Sequence, residues 1–254
     1  MISIYETPYK NVHINVSAPL CTVRTSGGFD SGLLLYMVAK TCAEHNPTAE
    51  IQPITVVRTN EDQYPQWHRV DNRPIVDSIV QWVRDKFPQI AIREKVWKDA
   101  FQWWENGNIT YTDAQKTLVT QWVDPNKTIE DPYKAQVFDF NGVTKNPPVP
   151  MSINNMHQHR ELKRDYDEPG KPAEAENSCS IHKFKNKNTA QFQEPFRNSD
   201  KRVTIHLARE FGIFDDLNRL TRSCEGGREE TSNWTKVCGT CWWCQERAWA
   251  MECV

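Results

Sequence analysis

Leu20-Cys21-Thr22-Val23-Arg24-Thr25-Ser26-Gly27-Gly28-Phe29-Asp30-Ser31-Gly32 is the stretch from which the rest of the chain can be read. Its first five residues predict a short buried strand. A Ser-Gly-Gly turn follows at 26–28. Leu33, Leu34, Met37 and Val38 then recur at helical spacing, so a helix is expected to begin near Asp30. A strand that turns tightly into a helix offers backbone N–H groups and a positive helix end to an anion. Gly27 and Gly28 let the backbone approach phosphate oxygens closely. Ser26 and Ser31 add hydroxyl donors, and Asp30 suits Mg2+. The pattern is not the G-x-x-x-x-G-K-[ST] loop of kinases and motor ATPases. The plain alternative is a glycine-rich turn with Asp30 as its N-cap.

Working outward, a second strand is expected within 51–59, where Ile54, Val56 and Val57 cluster. Pro74 suits the first turn of a helix striped by Ile75, Ile79, Trp82 and Val83 and ended by Pro88. Residues 90–96 read as a third strand. Thr112 with Gln115 resembles a capping box for a helix through Val123, and 135–140 reads as a fourth strand. Strands alternating with helices predict a parallel sheet with helices on its faces. From Thr144 to about Pro195 no periodicity can be read, and prolines and polar residues dominate. Order returns at Ser199, expected to cap a helix that runs to Phe211 and stops at Gly212.

The chain has 254 residues, 38% hydrophobic and 25% charged, with a net charge of -2 and a pI near 6.4. That length suits one α/β domain plus a small appendage, with no need of disulfides to hold the core. The balance of charge argues against a surface that binds nucleic acid as a whole. No apolar run approaches the roughly 18 residues that span a bilayer. The first residues lack a charged segment followed by an apolar one, so no signal peptide is expected. A cytoplasmic location, and therefore reduced cysteines, is the expectation.

Five of the eight cysteines fall in the last 31 residues, which points to metal rather than disulfides. Cys224 precedes Cys238-Gly239-Thr240-Cys241-Trp242-Trp243-Cys244. Cysteines two residues apart grip a metal from a tight knuckle, and a fourth from an upstream loop completes a tetrahedron. Cys224, Cys238, Cys241 and Cys244 are thus the expected Zn2+ ligands, with Cys253 a spare. Four protein ligands leave no open position, so the role is structural. An iron–sulfur cluster is the rival, because C-x-x-C-x-x-C also occurs in ferredoxins. Cys21, Cys42 and Cys179 are read as small buried or loop residues, and Trp97, Trp103 and Trp104 as packing residues. His157 and His159, and the basic Lys183-Phe184-Lys185-Asn186-Lys187, are read as solvent-facing.

Ser26-Gly27-Gly28-Phe29-Asp30-Ser31 resembles the S-G-G-x-D-S signature of the PP-loop pyrophosphatases. Together with the cysteine quartet, the chain resembles the 7-cyano-7-deazaguanine synthases of the queuosine pathway. Tyr64-Pro65-Gln66-Trp67-His68-Arg69-Val70-Asp71 is similar to that family's Y-G-Q-R-H-x-x-E, with Pro, Trp and Asp in place of Gly, Arg and Glu. Pro195 through Lys201 follows its P-x-x-x-x-x-K. Leu220-Thr221-Arg222-Ser223-Cys224 follows L-T-x-S-C. Cys238 through Ala248 follows C-G-x-C-x-x-C-x-x-R-A. The F-V-P-G-R-N and P-D-C-R segments that help form the family's pocket are absent. The resemblance covers roughly half the chain.

The resemblance implies a PP-loop α/β fold over residues 1–195, including a long irregular insertion at about 144–195. It further implies a C-terminal helix and zinc lobe over 196–254, and ATP, Mg2+ and Zn2+ as cofactors. Ser26, Gly27, Gly28, Phe29, Asp30 and Ser31 would hold the leaving pyrophosphate, with Asp30 bearing on Mg2+. Lys201 would be a positive charge on phosphate, and Tyr64, Gln66 and His68 would contact the heterocyclic carboxylate. In the family's reaction that carboxylate attacks the α-phosphate of ATP and pyrophosphate leaves. Ammonia displaces AMP to give an amide, and a second ATP activates the amide oxygen, whose loss leaves a nitrile. Some relatives are homodimers, although no apolar stripe marks an interface here. Two other readings stand beside this one. In the first, a PP-loop enzyme adenylates a tRNA base or a protein-borne carboxylate. In the second, a zinc-stabilised nucleic-acid or protein-binding module keeps the loop as a relic.

Overall fold

The computed structural model describes residues 2–57, 71–99, 111–121, 136–144, 179–184, 187–197, 199–224, 226, 229–233 and 235–254. A two-stranded antiparallel ribbon, β1 (Ile2–Tyr5) and β2 (Val12–Asn15), precedes the main sheet. β3 (Leu20–Arg24) runs into α1 (Phe29–His45), β4 (Glu50–Val57) and α2 (Arg73–Lys86). The short strands β5 (Ala91–Ile92) and β6 (Val96–Asp99), then α3 (Tyr111–Thr120) and β7 (Val137–Asn141), follow. β8 (Cys179–Phe184) and β9 (Lys187–Gln193) lead to α4 (Lys201–Glu210), α5 (Phe214–Leu220) and α6 (Trp242–Cys253).

β3 is the middle of the sheet because every one of its residues is buried, as a strand covered on both faces requires. It pairs in parallel with β4 on one side and β7 on the other. The order is β5-β4-β3-β7-β9-β8, with β6 also on β4, and only β8 is antiparallel to its neighbour. Alternate residues of the strands feed two cores. Cys21, Val23, Ile51, Phe138 and Phe140 pack with Leu33, Leu34 and Val38 of α1 and Ile79 and Val83 of α2. Val203 and Leu207 of α4 and Trp249 and Ala250 of α6 belong to that same cluster. Leu20, Ile54, Val56 and Val137 face the other way, onto Ala114, Leu118 and Val119 of α3. Among the described residues no helix is long and apolar enough to cross a membrane.

Several expectations change. The third strand is two pieces, because the chain leaves the ladder between Ile92 and Val96. Within the stretch that gave no periodicity, β8 and β9 extend the sheet. Their signal was hidden because β9 buries the polar Gln191 and Gln193. Gln193 exchanges hydrogen bonds with the backbone of Asn15. Asp200 rather than Ser199 caps α4, accepting from the Arg202 N–H at 3.0 Å. Gly212, at φ +67°, ends that helix as expected. Trp97 is 45% exposed rather than packed, with the Arg73 guanidinium 4.3 Å over its ring.

Candidate functional site

The first connection from β3, through α1, goes to β4, and the chain later returns to β3's other side as β7. Where strand order reverses in this way, the carboxyl ends of the strands leave a crevice. The 26–31 turn lies at the carboxyl end of β3. Thr25 continues the ladder with an N–H to Ile54 carbonyl bond of 2.8 Å. Gly27 then takes φ +82°, a left-handed conformation that a side chain would strain. α1 starts at Phe29 with Gly28 as N-cap and no side chain capping it.

The two serines tie the turn to itself. Ser31 Oγ donates to the Gly28 carbonyl (3.0 Å), accepts from the Ser26 N–H (3.2 Å), and lies 3.2 Å from Ser26 Oγ. Ser26 is exposed, Gly28 and Asp30 are half-buried, and Gly27, Phe29 and Ser31 are buried. The turn therefore opens outward through Ser26 and Gly28. On the β7 side Gly142 lets the strand end pass close: a Cβ there would lie 3.2 Å from the Asp30 carbonyl oxygen.

Asp30 and Lys201, expected at one site, meet there. Lys201 Nζ donates to Asp30 Oδ2 at 2.6 Å, and Thr204 Oγ1 donates to Oδ1 at 2.8 Å. Lys201 is nearly inaccessible and also lies 3.7 Å from Glu246 Oε2. A lone buried ammonium is costly, and two carboxylates around it offset that cost. A second buried pair, Arg24 with Asp139, lies on the α3 face of β3. There Gln115 accepts from Arg24, and the Phe192 ring lies 4.6 Å from its guanidinium. At the carboxyl end of β9, burial pushes the Glu194 carboxyl up from its ordinary range, against the pull of Arg197 and of the Asn141 amide 2.9 Å away.

The four expected cysteines come together, with all ligand atoms within 4.8 Å of one another. Cys224 and Cys238 sulfurs are 3.5 Å apart, and Cys238 and Cys244 are 4.0 Å apart. A Zn–S bond of about 2.3 Å gives a tetrahedron whose edge is about 3.8 Å, so the spacing and the donor chemistry fit one metal ion such as zinc. An iron–sulfur cluster is several atoms across and would hold its thiolates further apart. Backbone N–H groups already point at the sulfurs: Gly226 and Cys238 at Cys224, and Cys241 at Cys238. Burial alone would raise the Cys238 thiol. The Cys241 and Thr240 N–H groups outweigh it and lower that thiol to about 6, as suits a thiolate ligand. Burial, then the neighbouring thiols, push Cys244 the other way. Cys253 is exposed and stands outside the group. Cys21 and Cys42 are fully buried, as expected.

The cysteine lobe and the turn share contacts that spacing in the sequence does not reveal. The Arg222 N–H donates to the Gly27 carbonyl at 2.8 Å. The Phe29 N–H donates to Ser223 Oγ at 3.2 Å. Arg247 lies 5.0 Å over the Phe29 ring. Gly32 leaves room for Thr221 and Leu217, whose atoms would stand 3.0 and 3.2 Å from a Cβ. Gly226 is needed for its smallness, since a Cβ would meet Cys238 Cβ at 2.7 Å. Thr204, Ser223, Gly226 and Glu246 had no role assigned from sequence. Ser223 and Gly226 flank Cys224 and could have been found by asking what holds a ligand loop. Tyr64, Gln66 and His68 lie outside the described residues. Comparison with known proteins returns no matching family model and no matching curated protein.

Proposed function

We propose that the chain is a PP-loop ATP pyrophosphatase that adenylates a carboxylate on a 7-deazaguanine-type heterocycle and converts it with ammonia to an amide and then a nitrile. AMP and pyrophosphate are released in each activation. The observation that carries this reading is the serine–glycine turn between β3 and α1, open at the crevice where strand order reverses, with Asp30 and Lys201 joined beneath it.

The turn supplies electrostatic stabilisation for a leaving pyrophosphate through the amides of 27–28, the Ser26 hydroxyl and the positive end of a 17-residue helix. Asp30 has one hydrogen bond to each carboxylate oxygen. Each oxygen keeps a second lone pair, which suits a divalent cation at the phosphates. Lys201 puts a positive charge at the floor of the turn. The cysteine quartet binds zinc structurally. Bound there, the ion supplies a fixed crosslink that holds Arg222 and Ser223 against the turn.

The test is incubation of the protein with ATP, Mg2+, ammonium and 7-carboxy-7-deazaguanine beside a panel of other heterocyclic acids, with products weighed by mass spectrometry. The reading expects a nitrile only from the deazaguanine acid. Turnover stimulated by bulk tRNA alone would replace the heterocycle with a tRNA acceptor. No turnover with any acceptor would leave a binding module.

A further inference from the structure

Beneath the turn, three charged side chains from three helices form a row. Lys201 of α4 lies 2.6 Å from Asp30 of α1 and 3.7 Å from Glu246 of α6. Side-chain exposure falls inward, from 16% at Asp30 to 2% at Lys201 and 0% at Glu246. Asp30 is therefore the member that meets the crevice, and Glu246 is its buried end. A buried carboxylate costs several kcal/mol unless an opposite charge answers it, and Lys201 is within ion-pair reach.

One ammonium and two carboxylates give these three groups a net charge of -1, and the buried Arg247 guanidinium acts on Asp30 as a further positive charge. A divalent cation on Asp30 would stand close to the ammonium that shares that carboxylate. With Asp30 as the only anion, the two cations would repel across it. With Glu246 3.7 Å away, the ammonium has a second anion, and the three groups become +1 when the cation binds and face an anionic polyphosphate. The geometry points to Glu246 as a positioning residue: it is the inner counter-charge that holds Lys201 in place while Asp30 serves the divalent cation of the bound nucleotide. This rests on the turn being a nucleotide site. Cys244 anchors α6 two residues earlier, so the metal cluster sets where Glu246 stands.

The experiment uses the full chain with its metal. Binding of a fluorescent ATP analogue is titrated with Mg2+ and also measured without it, for wild type, Glu246→Gln and Glu246→Asp. Melting temperature and metal content are recorded in parallel. Glu246→Gln is expected to need about tenfold more Mg2+ for half-maximal binding, a change of about 1.4 kcal/mol. Its Mg2+-free binding should be no weaker than wild type, because the empty row has lost a negative charge. A merely structural role would weaken both. Glu246→Asp keeps the charge at a greater distance and should fall between the two, which decides the matter if the glutamine variant does not fold. An unchanged Mg2+ midpoint in a folded variant, or equal loss with and without Mg2+, would overturn the assignment. Wild type that binds no nucleotide at any Mg2+ concentration overturns the nucleotide site itself, and the assignment with it.

Discussion

Withdrawing a metal held by the four cysteines should loosen the 26–31 turn, by an amount the structure lets one work out. Two hydrogen bonds run from the residues just before Cys224 to the turn: Arg222 N–H to the Gly27 carbonyl at 2.8 Å and Phe29 N–H to Ser223 Oγ at 3.2 Å. Each is worth about 0.5–1.5 kcal/mol net. Losing both costs about 1–3 kcal/mol, or roughly five- to 150-fold in the affinity of any ligand that needs the turn preformed. The sheet itself should survive, because its core of β3, β4, β7, α1 and α2 residues includes none of the four ligands. The assay is ATP-analogue binding before and after a zinc chelator, with far-UV circular dichroism as the control for folding. Coupling between sites is reciprocal, so saturating nucleotide should tighten the metal by the same factor, read by competition with a zinc indicator. A metal-free protein that keeps its helical signal and binds nucleotide with unchanged Kd would refute the reasoning.

Two further outcomes follow from single positions. Gly226→Ala must push its new methyl into Cys238, 2.7 Å away at Cβ and 2.8 Å at Sγ. Overpacking of this kind costs about 1–3 kcal/mol, so metal affinity should drop about five- to 150-fold in the indicator competition; unchanged affinity would contradict the geometry. The Glu194 carboxyl is raised by burial, so the native state holds its proton more tightly than the unfolded chain. Stability from that group is complete below the ordinary glutamate range and is lost as pH rises through the raised value. Denaturant melts of wild type and Glu194→Gln should therefore diverge with rising pH, to the disadvantage of wild type, and a pH-independent difference would contradict the assignment.

Local chemistry was legible in the sequence and long-range chemistry was not. β3 could be bounded at Leu20–Arg24 because an apolar run ends there in a turn that needs Gly27. The cysteine quartet could be named because three of its ligands lie within seven consecutive residues. β9 stayed hidden because it buries Gln191 and Gln193, and hydropathy alone scores glutamine as surface; Gln193 is satisfied by the backbone of Asn15. The cap of α4 fell one residue away because Ser199 and Asp200 are both good caps, and only the fold aims Asp200 at the Arg202 N–H. The row beneath the turn joins residues 171 apart in the chain, and the Ser223 contact joins residues 194 apart. No spacing rule reaches that far, so Thr204 and Glu246 emerge only once α4 is packed on α1 and α6 on α4.

The most direct measurement is phosphorus NMR of ATP turned over with Mg2+, ammonium and the heterocyclic acid, because it identifies which phosphate bond is cut. A turn that holds the two terminal phosphates as a leaving group yields AMP and pyrophosphate in equal amounts. ADP with inorganic phosphate, or ATP left intact by a folded and metal-loaded protein, would contradict the account.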